Sequence, residues 1–375
     1  MKKILVIGGT GLLSGAVVRE ALKQGCDVTC INRGTRTPMK GSHAIISDKD
    51  NYQLLKKELK GKRFDAVIDF LVRKTDELQL SFDFYSQYTQ QYVFVSSTMV
   101  YNSSIDMIFS EDAPKVQPLW SYSKEKWDCE ELLVRLSKVS NCHYTVVRPG
   151  ITYDDTRLPY GIMPPYGKHW SLVARMKAGK PIVTVNSGSN KCNMMRAEDF
   201  AVGVVGLFGN TQAYDEAFNV CGNECPTYRQ VLDTIASSLG IEYQTIDVTA
   251  QEFAELVPSR KEEILGRSCN YECSNRKISD LVPKFSQQIS LKEGIPSVLQ
   301  AYITSNYQQG IDYAWDAECD KVAIKKGVKS IHFCDYLKNA TIDDKIVYNK
   351  LATNKLLELL YKAIRKIRKR NSTSK

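Results

Sequence analysis

The sequence predicts an α/β protein built on a doubly wound parallel sheet, and three observations carry that expectation. Short β-branched runs alternate with helical stretches through the first 150 residues. The runs are apolar almost throughout rather than alternating, as befits strands covered on both faces. A glycine cluster stands between the first run and the first helical stretch. Strands are expected at Lys3–Ile7, Asp27–Ile31, Ala44–Ile46, Ala66–Phe70, Tyr92–Ser96 and Tyr144–Val147, and helices at Leu12–Lys23, Asp50–Leu59, Asp76–Gln87 and Ser123–Leu136. The repeated strand–helix order gives right-handed crossovers with helices on both sheet faces.

Residues 1–150 therefore form the first domain. After Arg148-Pro149-Gly150 the character changes. The stretch 150–190 is rich in Gly, Pro and Tyr, shows few periodic runs, and reads as a functional loop region. Helical and strand-like pieces return from Ala197 to about Leu299, so residues 151–310 are expected to form a smaller lobe interleaved with late core elements. Residues 311–375 read as a helical extension with a basic tail, and no internal repeat is found.

Of the 375 residues 43% are hydrophobic and 25% charged, enough for a sizeable core and a second lobe. No apolar run approaches the ~20 residues that cross a membrane. The apolar run after Lys2 and Lys3 is short and ends in glycines, so it reads as a strand and not a signal peptide, and the chain reads as cytoplasmic. The eleven cysteines cannot all pair, which suits a reducing compartment. Cys26/Cys30, Cys221/Cys225 and Cys269/Cys273 stand four apart, off the usual zinc spacing, and no metal is expected. Lys362, Arg365, Lys366, Arg368, Lys369, Arg370 and Lys375 carry most of the basicity, since removing those seven from +9 leaves +2. A near-neutral body argues against nucleic acid as a partner.

The glycine cluster Gly8-Gly9-Thr10-Gly11-Leu12-Leu13-Ser14-Gly15 runs from the first strand into the first helix. Glycines there allow a tight turn and a close approach of backbone N–H groups to a pyrophosphate, and the helix N-terminus favours its charge. This makes the sheet Rossmann-like. The usual spacing puts a third glycine at Ser14, which is small enough to keep the helix close to the strand. The second strand ends in Asn32-Arg33-Gly34. An acid at this point grips the ribose 2′-hydroxyl of NAD, whereas a cation suits a 2′-phosphate. Asn32 and Arg33 therefore favour NADP, with NAD as the alternative, and Asp48 after the third strand is placed to meet the adenine.

The fifth strand runs into Ser96-Ser97-Thr98-Met99-Val100-Tyr101, and downstream Tyr122 and Lys126 stand four apart. On a helix they share one face. A phenol ionises near 10, and a neighbouring ammonium together with the positive nicotinamide ring favours the phenolate. A strand-end hydroxyl can then hold the substrate oxygen while the tyrosine moves the proton.

With these pieces in order, the sequence resembles the NAD-dependent epimerase/dehydratase group of extended short-chain dehydrogenases/reductases. The matching segments are Gly8–Gly15, Ser96–Tyr101, Tyr122-x-x-x-Lys126, Arg148-Pro149-Gly150-Ile151-Thr152-Tyr153, Met195–Ala201 and Glu216–Val220, across about residues 1–300. The resemblance implies a catalytic trio of Ser97, Tyr122 and Lys126. It also implies a cofactor site of Gly8, Thr10, Gly11, Leu12, Leu13, Asn32, Arg33, Asp48, Leu71, Ser96, Tyr122, Lys126 and Pro149, and a smaller C-terminal lobe that binds substrate. Two positions depart from the family pattern: Asp154 replaces a glycine, and Arg196-Ala197-Glu198-Asp199 replaces H-V-D-D. Both lie where the family holds its substrate.

The activity so implied is epimerisation of a sugar, carried on a nucleotide, by hydride and proton transfer. The alternatives are a nucleotide-sugar ketoreductase or dehydrogenase, or a non-catalytic cofactor-binding regulatory or RNA-associated member of the superfamily. A dehydratase normally wants an acid just after the catalytic hydroxyl, and here Thr98 and Met99 follow. Tyr153, Tyr160, Tyr166 and Trp170 are placed to close over a sugar and retain a keto intermediate. A homodimer is common for such folds. In the tail, Leu356, Leu357, Leu360, Ile364 and Ile367 recur at helical spacing among lysines and arginines. Such a helix either lies on an anionic membrane surface or docks by its apolar face, with a solvated end.

Overall fold

A computed structural model describes residues 1–116, 119–161, 168–305, 310–328, 335–352 and 354–372. Tyr166 and Lys375 lie outside the described residues. Two compact units are formed: residues 1–154, 191–226 and 269–294 make the first, and 155–190, 227–268 and 295–375 the second.

The first unit is a doubly wound parallel sheet. Its strands are β1 (Lys3–Ile7), β2 (Asp27–Asn32), β3 (His43–Ile46), β4 (Ala66–Asp69), β5 (Gln91–Val95) and β6 (His143–Pro149), with a seventh at Glu216–Val220. Spatially the seventh strand is followed by β6, β5, β4, β1, β2 and β3, all parallel. The uninterrupted apolar run of β1 has a simple reason. Ile4 and Val6 enter the core on one sheet face, while Leu5 and Ile7 enter the core on the other. On the first face lie the helices α1 (Leu12–Lys23) and Ala197–Leu207, which supply Ala16, Val17, Phe200 and Val204. On the second face lie α2 (Tyr52–Glu58), α3 (Thr75–Tyr85) and α4 (Ser121–Lys138), which supply Leu55, Leu78, Phe82, Cys129 and Leu133. Chain order reverses between β1 and β4, and the crevice beyond the carboxyl ends of strands at such a switch point is where this fold class binds ligands.

The second unit holds a parallel pair of short strands, Ile182–Val185 and Thr245–Val248, among helices. Here Arg175 donates to Asp316 at 2.8 Å and Asp320 at 2.5 Å, and Lys180 donates to the same carboxylates at 2.7 and 2.6 Å. All four are buried. Two cations matched by two carboxylates tie the helix Tyr313–Lys325 to the helix Trp170–Lys177. Such a network gives little net stability over an apolar core, but loss of any one member leaves a buried charge unmatched.

The expectation for residues 150–190 needs correction. Among its described residues this stretch contains the strand Ile151–Tyr153, the helix Trp170–Lys177 and the strand Ile182–Val185. Tyr153, Tyr160 and Trp170 are buried and are not exposed loop residues. Trp170 packs edge-on against Tyr302 at 5.6 Å, and Tyr160 against Tyr228 at 5.5 Å.

Candidate active site

The turn after β1 is shaped by what surrounds each glycine. Gly8 has φ +87°, a backbone that side chains avoid, and a Cβ there would lie 2.7 Å from the Leu71 side chain. A Cβ on Gly9 would lie 2.8 Å from Cys30 Sγ. Ser14, at the third glycine position, is buried, and its hydroxyl accepts the Gly11 N–H at 2.9 Å. The serine thus adds a hydrogen bond to the turn as well as fitting it. Thr10 and Gly11 lead into α1, whose opening residues Leu12 and Leu13 carry N–H groups with no carbonyl partner in their own helix. Leu71 is brought over the turn by the end of β4, where Asp69 accepts the Leu71 N–H at 2.8 Å and the Val72 N–H at 3.3 Å. Burial raises the Asp69 carboxyl above its ordinary pKa, and the Ser81 hydroxyl at 2.6 Å opposes that rise.

At the end of β2 the Asn32 side chain is buried, and neither its amide nitrogen nor its oxygen has a partner. Buried amides are nearly always bonded, so an orphaned one calls for a missing polar group. The hydroxyls or phosphate of an adenosine ribose fit that need, at the place where this fold holds them. Arg33 is exposed. Arg36, which sequence reasoning passed over, reaches back to the turn and donates to the Thr10 carbonyl at 2.9 Å. Asp48 is exposed and accepts the Asp50 N–H at 3.2 Å. The turn, the helix start and Asn32 together fit the pyrophosphate and adenosine ribose of a dinucleotide.

Helix α4 begins at Ser121, two residues before the expected start, and so includes Tyr122. Tyr122, Lys126 and Glu130 follow at four-residue intervals on one face. Lys126 is buried and donates to Val95 O at 2.9 Å and Val72 O at 3.0 Å, with its ammonium 4.8 Å from the Phe94 ring centroid. This fixes it to the end of β5, two residues before Ser97. An ammonium has three N–H groups. Two bond these carbonyls, and the third has no acceptor among the described residues. Tyr122 is half-buried, with its ring 4.8 Å from that of Trp120, and its hydroxyl makes no hydrogen bond among the described residues.

The three successive hydroxyls after β5 have different fates. Ser96 donates to the buried Glu130. Thr98 donates to the carbonyl of Pro149, at the end of β6, at 3.2 Å. Ser97 opens a 3₁₀ turn and accepts the Met99 N–H at 3.2 Å, while its own proton has no acceptor among the described residues. Ser96 therefore belongs to a buried network, whereas the Ser97 proton stays without an acceptor among the described residues.

That network escaped the sequence reading. Glu130 takes a two-pronged ion pair from Arg148, at 3.1 and 2.6 Å, and both are buried. Arg148 also donates to the Tyr101 hydroxyl at 2.8 Å, and Tyr101 donates to Asn219 Oδ1 at 2.6 Å. Burial works against the Arg148 charge, but the adjacent Glu130 carboxylate raises its pKa above the ordinary arginine value. Burial likewise pushes the Tyr101 phenol up, so it bonds as a neutral hydroxyl. The available signal was the spacing, since Glu130 repeats the interval from Tyr122 to Lys126.

Among the described residues no group of His, Cys, Asp and Glu could hold a metal ion, and no helix is long and apolar enough to cross a membrane.

The fold is Rossmann-type, with a glycine-rich turn after β1 and with Ser97 and Lys126 at the carboxyl end of β5. The chain belongs to the NAD dependent epimerase/dehydratase family, which it matches over residues 4–221. Among solved structures, the UDP-glucose 4-epimerase of Thermotoga maritima with UDP-glucose is similar at TM-score 0.63 and 14% identity, over 81% of this chain and 99% of that one. The UDP-glucuronic acid 4-epimerase of Bacillus cereus, in complex with UDP-glucuronic acid and NAD, is similar at TM-score 0.64 and 17% identity over the same shares. In sequence, the chain is 28% identical over 269 residues to the chloroplast stem-loop binding protein of 41 kDa b of Arabidopsis thaliana, which is 67% of each protein.

Proposed function

We propose that the protein is a nicotinamide-dependent epimerase of a nucleotide-linked sugar, with Ser97, Tyr122 and Lys126 as its catalytic residues. The observation that carries this reading is the set of unused hydrogen-bonding groups on the three residues. The Tyr122 hydroxyl, the Ser97 proton and one Lys126 N–H have no partner among the described residues. The family and the nucleotide-sugar epimerases among the similar structures support it.

The bound cofactor supplies a hydride acceptor and donor. Ser97 donates a hydrogen bond to the sugar oxygen and holds it in place. Tyr122 removes the hydroxyl proton from that oxygen and returns it at the end of the cycle. Lys126, held by two carbonyls and on the same face of α4 as Tyr122, favours by its positive charge the Tyr122 phenolate that takes this proton. Mixing the protein with UDP-linked hexoses and separating the products tests the proposal. An epimer formed with no net change in nicotinamide absorbance is expected, whereas stoichiometric cofactor consumption would assign the site to a reductase or dehydrogenase.

For the cofactor, the orphaned Asn32 amide and the cations Arg33 and Arg36 favour NADP over NAD, because an acid that would repel a 2′-phosphate is missing there. Titration is expected to show tighter binding of NADP(H), with Arg33→Ala and Arg36→Ala together erasing the preference. Tighter binding of NAD(H) to the native protein, unchanged in that double variant, would overturn it.

A second reading comes from the Arabidopsis relative, whose name marks it as a stem-loop binding protein. RNA association without turnover would leave the three unused groups without a role, and the charge outside the tail is only +2.

A further inference from the structure

The C-terminal helix Lys355–Ser372 is left with an uncovered apolar stripe. It packs against the helix Ile342–Leu351, and Leu357, Glu358, Tyr361 and Ile364 form its half-buried side. Arg365 pairs with Asp343 at 2.8 Å on this flank. The other side carries Leu356, Leu359, Leu360 and Ile367, exposed by 79, 54, 51 and 58%. With Ala363 these recur at three- and four-residue intervals and so make one continuous face. Four large exposed aliphatic side chains on one helix face mark a surface that meets something.

We propose that this face is an interfacial anchor that lies in the plane of an anionic lipid surface. Charge complementarity selects the occupant. Between residues 355 and 372 there are seven lysines and arginines and one acid, Glu358, which is tied to Lys362 at 2.5 Å. By helical position, Lys355, Lys362 and Lys366 run along one border of the stripe and Arg368 lies beyond the other. An apolar stripe edged by cations is the pattern of helices that bury their apolar side at the headgroup boundary while lysine and arginine meet anionic headgroups. A second copy of this chain would set like charges against each other. A nucleic acid would leave the leucines without a partner.

The test uses the full chain and vesicles of phosphatidylcholine and phosphatidylglycerol in equal parts. The protein is expected to co-sediment with them at least tenfold more strongly than with phosphatidylcholine alone. Binding should weaken as salt rises from about 0.1 to 0.5 M, because the ~10 Å screening length shortens. The double variant Leu360→Glu/Ile367→Glu is expected to lose binding at least tenfold while its melting temperature and cofactor affinity stay native, since both side chains are exposed. Equal binding to the two vesicle types, or undiminished binding by the variant, overturns the proposal. A native dimer that the variant splits, with no vesicle binding by either protein, would assign the stripe to self-association. Binding of single-stranded RNA that is insensitive to Leu360 and Ile367, without vesicle binding, would assign the helix to nucleic acid.

Discussion

Replacing Tyr122 by phenylalanine is expected to lower turnover by about 10²–10⁴-fold, the usual contribution of a positioned general acid–base group. The substitution removes one oxygen that has no hydrogen-bond partner in the described structure, so folding has nothing to lose. The ring keeps its tilted contact with Trp120, centroid to centroid 4.8 Å. Cofactor affinity is expected to stay within about threefold of native, because the turn after β1, Asn32 and Leu71 are untouched. Steady-state kinetics on the epimerised substrate, together with a cofactor titration, make the check. Turnover within tenfold of native would mean that the proton moves by another route. Lys126→Met differs in kind: it also frees the Val72 and Val95 carbonyls, so a loss of stability should accompany its loss of rate.

The largest expected effect on stability comes from Glu130→Leu. The substitution leaves the Arg148 guanidinium buried without its carboxylate, and Ser96 without an acceptor. Breaking a buried ion pair from one side costs about 3–5 kcal/mol, because the remaining charge is neither hydrated nor matched. The double variant Glu130→Leu/Arg148→Met removes both charges and is expected to recover much of that loss. Urea unfolding monitored by circular dichroism measures both. A single-variant loss below about 1 kcal/mol, or a double variant no better than the single, would show that water reaches the pair. The consequence for function is positional: Glu130 holds Ser96, and Ser96 fixes the strand end from which Ser97 presents its hydroxyl.

Much of this could be read in the sequence because it is local. Continuous apolar runs mark strands buried on both faces, and β1 through β6 fall within a residue or two of their expected bounds. The glycine turn and the Tyr122–Lys126 interval are likewise set by short-range geometry. What could not be read depends on partners far along the chain. Glu130 looks like one more solvated acid in a polar helix until Arg148, on the neighbouring strand, comes against it. Arg36 looks like a loop cation until the chain returns it to Thr10. In the 150–190 stretch, Gly, Pro and Tyr hide a helix of 8 residues, too short to display a period. Its aromatic residues read as a flap over a ligand, and the structure shows Tyr153, Tyr160 and Trp170 to be buried. Ser97 could be chosen over Ser96 only by family likeness in the sequence, whereas the hydrogen bonds separate the two on physical grounds.

The fate of the hydrogen at the reacting carbon distinguishes epimerisation by hydride return from other routes. The native protein is incubated with a nucleotide-linked sugar and a catalytic amount of cofactor in deuterated water, and the product is read by NMR. If the hydride leaves for the cofactor and returns to the other face while Tyr122 handles only the hydroxyl proton, the inverted carbon keeps its original hydrogen and nicotinamide absorbance ends where it began. Solvent deuterium at the inverted carbon, or a sugar product formed one-for-one with consumed cofactor, would contradict the account.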